Sequence, residues 1–133
     1  MKFAVDTNVL LRIFIGDDLA QQKIALASVK EAELVAISIH TLCEFVWVLM
    51  RGYKKSAAET AKAVRQLTEM PNTALDRAMV EMGLSLLDKG GDFADGVIAF
   101  DGRRLGGQTF LTFDKDAAEL LNATGVDTRL LNR

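Results

Sequence analysis

Short apolar runs alternate with longer segments of helical periodicity along the chain. Stretches of this periodicity, bounded by polar capping residues, Gly and Pro, predict helices at about 9–15, 17–32, 39–51, 56–70, 74–89, 92–106 and 114–122. The apolar runs predict strands at Lys2–Asp6, Leu34–Ile37, Thr109–Phe113 and Val126–Leu130. Because these runs are continuously apolar and are separated by helices, the pattern predicts an α/β fold with a mostly parallel sheet covered on both faces.

Polar residues mark where several of these helices begin. Thr7 or Asn8 is predicted to cap the first helix, and Ser38 is predicted to cap the third. Ser56 and Glu59 have the spacing of a capping box, in which each side chain binds the backbone N–H of the other residue.

Length and composition predict one cytoplasmic domain. The chain has 133 residues and a single cysteine, Cys43, so no disulfide can form within it. Neither a signal peptide nor a membrane span is expected. The net charge of −2 argues only weakly against a nucleic-acid partner, because acids that hold cations count as negative. A hydrophobic content of 50% favours a dimer or partner surface.

Two aspartates follow predicted strands. Asp6 ends the first strand, and Asp114 comes just after the third. Ligands of open α/β sheets bind outside the carboxyl ends of the strands. Both carboxylates are therefore expected on the same rim of the sheet.

Further acids lack basic residues at helical spacing. Glu44 lies in IHTLCEFVWVLMR, which is apolar nearly all round and is predicted to be largely buried. Its alternative role is a bond to His40 or to the backbone at the edge of the helix. Asp92 and Asp95 are three residues apart, and each could also be explained by its place at the start of a helix.

Four acids on one rim would repel one another and raise one another's pKa values, unless a divalent cation bound them. Mg²⁺ and Mn²⁺ prefer carboxylate and water oxygens. A cation held there could activate water and stabilise the leaving oxygen of a phosphodiester. The sequence therefore predicts a site for Mg²⁺ or Mn²⁺.

Four segments in order resemble PIN domains, above all the VapC toxins of VapBC toxin–antitoxin modules. They are FAVDTNVLLR, SIHTLCEFVWVL, DFADGVIAF and TFLTFDKD. The resemblance implies a single PIN-like domain over residues 1–133. It would have three α/β/α layers and a mostly parallel central sheet of four to five strands.

The resemblance also implies roles for individual residues. Asp92 would be either a further ligand or a cap, and Asp116 either a peripheral acid or, as we favour, a surface residue. Thr7, Asn8 and Thr112 would orient the acids. The metal-binding and catalytic acids would be Asp6, Glu44, Asp95 and Asp114.

The implied activity is hydrolysis of RNA phosphodiesters by a metal-activated water. The resemblance further implies a homodimer and a VapB-like antitoxin that covers a groove and forms a hetero-oligomer with the toxin. Basic residues could steer the RNA backbone, with Arg103 and Arg104 favoured ahead of Arg12 and Lys115. For each of these, an ordinary solvated role is the stronger expectation.

Other functions fit the residues less well. A receiver-type signalling domain would need an acidic pair after the first strand, where Thr7 follows Asp6. A phosphatase that forms an aspartyl-phosphate would need an acid at Asn8. A catalytically silent PIN-like binding module is a further alternative, disfavoured by the four intact acids. His40 is predicted on the helix surface or bonded to Glu44, whereas Cys43 is predicted in the core and Trp47 in the core or an interface.

Overall fold

The computed structural model describes residues 1–132 of the chain. Its contacts divide the chain into two compact units, Met1–Asp76 and Arg77–Arg133. We call them unit 1 and unit 2 and describe each by itself.

Unit 1 is a parallel sheet with four helices. Its strands are β1 (Lys2–Ala4), β2 (Leu34–Ala36) and β3 (Thr73–Ala74), hydrogen-bonded in the order β1-β2-β3. Its helices are α1 (Thr7–Phe14), α2 (Leu19–Glu31), α3 (Ile39–Trp47) and α4 (Ala57–Glu69). Helix α3 continues directly into a π-helical segment, Val48–Gly52. The predicted caps Ser38 and Ser56 are both present, and Ser56 forms a capping box with Glu59.

The core of unit 1 comes from one face of each helix. Leu10 of α1, Leu42 and Phe45 of α3, and Val64 of α4 are almost completely buried. The rings of Phe14 and Phe45 lie 5.6 Å apart. These contacts fix α1 against α3, the two helices that matter for the site.

Unit 2 joins three helices to a two-stranded parallel sheet. The helices are α5 (Arg77–Asp88), α6 (Phe93–Arg104) and α7 (Lys115–Ala123), and the strands are β4 (Phe110–Thr112) and β5 (Thr128–Leu130). Leu86, Ala99 and Leu121 form a buried cluster shared by the three helices. Close packing of α5 and α6 is possible because glycines face the neighbouring helix: a Cβ on Gly96 would meet the carbonyl oxygen of Met82 at 2.6 Å.

The predicted α/β class and its parallel strand pairing are confirmed. The five strands form one three-stranded and one two-stranded ladder. The helix predicted from residue 74 begins at Arg77 instead, because Thr73 and Ala74 pair with β2 as strand β3. A single domain over residues 1–133 stays a prediction. None of the helices in the described part of the chain is long and apolar enough to cross a bilayer.

Candidate metal-binding site

Asp6 lies where β1 leads into α1, and it caps that helix. Its Oδ1 accepts a hydrogen bond of 3.0 Å from the backbone N–H of Val9. The prediction that Thr7 or Asn8 caps α1 was therefore wrong, because the helix starts at Thr7, two residues before the predicted start, and Asp6 takes the extended backbone of a capping residue. Only Oδ1 of the carboxylate is used by the cap, so Oδ2 is left to accept from another group.

Glu44 is exposed on α3, and the prediction that it is buried was wrong. The buried face of this helix is formed by Leu42, Phe45 and Val46. Glu44 and Trp47 lie on the opposite face, where Trp47 is 60% exposed and so is not a core residue. An exposed glutamate bears no large desolvation cost, so its position does not by itself require a partner.

Asp6 and Glu44 nevertheless line the same cleft of unit 1, which has a volume of about 410 Å³. The other lining residues are polar and come from the starts of α1 and α3: Thr7, Asn8, His40 and Thr41. Thr7 is buried, whereas Asn8 and His40 are exposed. Thr7 and Asn8 are thus placed beside the acids that they were predicted to orient. His40 lies on the helix surface, in agreement with one of its two predicted positions.

The acids of unit 2 influence one another electrostatically. Burial of Asp95, followed by the negative charges of Asp92 and Asp114, raises the pKa of the Asp95 carboxyl above its ordinary value. Asp92 caps α6 through a 2.8 Å bond from the N–H of Ala94, as its position after two glycines predicted.

Asp114 also begins a helix. Its Oδ1 accepts from the N–H of Ala117, 3.1 Å away, which caps α7. The hydroxyl of Thr112 accepts a 3.0 Å bond from the backbone N–H of Asp114. Thr112 therefore fixes the backbone of Asp114 in the turn before α7. Asp116, which follows Asp114 by two residues, is exposed, as expected of a surface residue.

The four predicted acids thus occur as a pair, Asp6 with Glu44, in unit 1, and as Asp95 with Asp114, beside Asp92, in unit 2. Among residues 1–132, no three His, Cys, Asp or Glu side chains lie close enough together to form a metal site by themselves. Mg²⁺ in proteins is commonly held by only one or two carboxylates, with water and substrate phosphate completing its shell. The Asp6–Glu44 pair and the mutually repelling acids of unit 2 both have the donor chemistry that such a cation binds.

The four basic residues predicted to steer RNA have different surroundings. Arg103 and Lys115 are exposed. Arg104 binds Asp101 at 2.6 Å on the surface of α6. Arg12 is different, because its side chain is only 14% exposed and it binds Asp17 and Tyr53.

Thr41 and Tyr53 were not assigned a role from the sequence, and the place of His40 in the cleft was not predicted. His40 and Thr41 precede Glu44 by four and three positions, so helical spacing could have placed both in the cleft. Tyr53 has no such signal, because its partner Arg12 is 41 positions away in the chain.

Comparison with known proteins gives one family. The family model described as PIN domain matches residues 3–121, which is most of the chain. The search of curated proteins found no match to this chain.

Proposed function

Because this chain belongs to the PIN-domain family, whose members are generally nucleases, we propose that it is a metal-dependent endoribonuclease. The observation that carries the proposal is the polar cleft shared by Asp6 and Glu44. Both residues stand where the family resemblance predicts metal-binding acids. The receiver-type alternative loses support, because the matched family is a different one.

The proposed catalytic acids are Asp6, Glu44, Asp95 and Asp114. PIN domains usually bind divalent metals, and we propose Mg²⁺ or Mn²⁺ here. Such a cation would supply an activated water and neutralise charge on the scissile phosphate. The chain's own contribution is orientation: caps hold the Oδ1 atoms of Asp6 and Asp114, and the Thr112 hydroxyl holds the turn before α7.

The proposed substrate is RNA, steered by exposed basic side chains. Arg103 and Lys115 are the best placed of the predicted residues, because both are exposed. Arg104 is also accessible, although it would have to exchange its bond to Asp101 for a phosphate. Each contact to phosphate would weaken as salt concentration rises.

We also propose the finer role of a VapC-type toxin that forms a homodimer and is inhibited by a VapB-like antitoxin. A second cleft of unit 1, about 600 Å³ in volume, is lined by Asp6 and by apolar residues that include Phe3, Val5 and Ile24. Such a surface suits an apolar peptide segment that ends beside the acids. Induced expression should arrest growth, and coexpressed antitoxin should restore it. Light scattering of the purified chain tests the dimer.

The sharpest test separates the two roles of Asp6. Asn caps a helix about as well as Asp, so Asp6→Asn keeps the cap and removes the charged metal ligand. Asp18→Asn is a matched control, because Asp18 caps α2 through an equivalent 3.0 Å bond from the N–H of Gln21. A pool of structured RNAs would be incubated with each protein in Mn²⁺, in Mg²⁺ and in EDTA.

We expect metal-dependent cleavage by the wild type and by Asp18→Asn, and a loss of about 100-fold or more in Asp6→Asn. No cleavage by a folded wild type free of antitoxin would support the silent binding module. In that case the capping bonds alone would account for Asp6, Asp92 and Asp114. Equal cleavage by Asp6→Asn and wild type would show that the site is wrongly assigned.

A further inference from the structure

Arg12 and Tyr53 connect the two elements that carry the acids of unit 1. Arg12 lies in the last turn of α1, the helix that Asp6 caps. Tyr53 follows the π-helical segment that extends α3, the helix that carries Glu44. The Nη2 of Arg12 donates a 2.8 Å hydrogen bond to the Tyr53 hydroxyl. One hydrogen bond therefore joins α1 to the extended α3 at the ends of these helices that lie away from the cleft shared by Asp6 and Glu44.

The surroundings of Arg12 are those of a structural side chain. It is only 14% exposed, and its Nη1 binds Asp17 at 2.6 Å. Its Nε is buried and has no hydrogen-bond partner among the described residues. A buried donor without a partner is unfavourable, so the other bonds of the guanidinium must hold it in place. A side chain held in this way is poorly suited to following a mobile RNA backbone.

The π-helical segment determines which way Tyr53 faces. A π-turn contains one residue more than an α-turn, and each residue of an α-helix rotates the chain by roughly 100°. In an uninterrupted α-helix, Tyr53 would thus be displaced around the axis by about that angle. The N–H of Tyr53 instead bonds the carbonyl of Val48 at 3.1 Å, which closes the π-turn. The irregular segment is what places the hydroxyl opposite Arg12.

We propose that the Arg12–Tyr53 hydrogen bond is a brace that sets the position of Asp6 relative to Glu44, and that Arg12 is a positioning residue. This inference rests on the proposed nuclease function. The Phe14–Phe45 ring contact also joins α1 to α3, so the packed helices transmit a shift at one end to the other. Displacement of catalytic groups by about 1 Å can cost up to about 100-fold in rate.

The test uses Tyr53→Phe, which removes the hydroxyl and keeps the ring, with Arg12→Leu and the double variant. We expect Tyr53→Phe to lower kcat for RNA about tenfold, with KM and its salt dependence unchanged. The double variant should be no slower than Arg12→Leu, because both changes break the same bond. Asp18→Asn is the control, because asparagine keeps the cap of α2 and Asp18 is bonded to the N–H of Gln21 rather than to Arg12 or Tyr53.

Amide hydrogen exchange of α1 gives a second readout that does not require catalysis. Exchange in residues 7–14 should become faster in Tyr53→Phe and not in Asp18→Asn. Unchanged exchange together with unchanged kcat in Tyr53→Phe would overturn the brace. A raised KM with a shallower salt dependence in Arg12→Leu alone would show that Arg12 contacts RNA instead. A wild type that does not cleave RNA is a failure of the proposed function, and exchange in α1 would still decide whether the brace exists.

Discussion

Asp95 is the acid whose surroundings most disfavour its own charge. Burial and two neighbouring aspartates raise its pKa in the folded protein. The folded state therefore binds its proton more tightly than the unfolded state does, and stability is lost as pH rises from the ordinary value of 3.8 through the folded pKa. At neutral pH without metal, the ionised carboxylate destabilises the fold.

We expect Asp95→Asn to raise the melting temperature in EDTA at about pH 7, by about 1–2 °C, and to remove the response to divalent metal. The stabilisation should vanish near about pH 3, where Asp95 is protonated in either state. Asp116→Asn is the matched control, because Asp116 is likewise an acid in the first turn of a helix but is exposed. Equal melting temperatures for Asp95→Asn and wild type in EDTA would contradict the electrostatic assignment.

At the level of single residues, the sequence predicted what local spacing determines. The Asp92 cap and the Ser56–Glu59 box depend on neighbours within three positions, and both are present. The exposure of Glu44 was missed because α3 has apolar residues on both faces, and composition alone does not show which face packs. The Arg12–Tyr53 bond was missed because it joins residues 41 positions apart.

Helix α6 packs closely against α5 at Gly96. Alanine at Gly96 would place its Cβ 2.6 Å from the carbonyl oxygen of Met82 and 3.0 Å from the Cα of Gly83. Both are backbone atoms that cannot rotate away. We expect Gly96→Ala to lower the free energy of unfolding by about 1–3 kcal/mol, measured by urea denaturation.

Gly102 provides the contrast within the same helix. Apart from its chain neighbours and the nearby backbone of its own helix, no atom of residues 1–132 lies within 4 Å of a Cβ at this position. Gly102→Ala should therefore raise the free energy of unfolding by about 0.5–1 kcal/mol, because alanine restricts the unfolded chain and favours the helix. A similar effect of both substitutions would show that the α5–α6 contact is looser than described.

Among the elements, the sequence predicted those with a pattern long enough to recognise. Four strands fall within the predicted apolar runs. Strand β3 was missed because two residues show no periodicity, and its pairing with β2 is set by tertiary contacts. The π-helical segment has no residue signature either, since its apolar residues also fit the predicted α-helix.

For the whole molecule, the resemblance to PIN domains is confirmed by the match over residues 3–121. The VapC-type role stays a prediction, as does the identity of the metal. A cation that binds only the folded state must stabilise it by mass action. At about 100 times its Kd, the stabilisation is about 2.7 kcal/mol.

We accordingly expect Mn²⁺ or Mg²⁺ to raise the melting temperature of the wild type and of Asp18→Asn, and to raise that of Asp6→Asn much less. Calorimetry in EDTA and in each metal, with NaCl used to match ionic strength, measures the shift. The absence of a shift in the wild type with either metal would count directly against a folded-state metal site.

Under the proposed function, the Asp6 cap has an evolutionary consequence. Asp6 begins α1 through a bond that asparagine can also make, so the fold does not depend on the charge that the proposed reaction needs. Aspartate and asparagine codons differ by a single base. A lineage could thus lose cleavage in one mutational step and keep a folded protein on which selection for binding alone could then act.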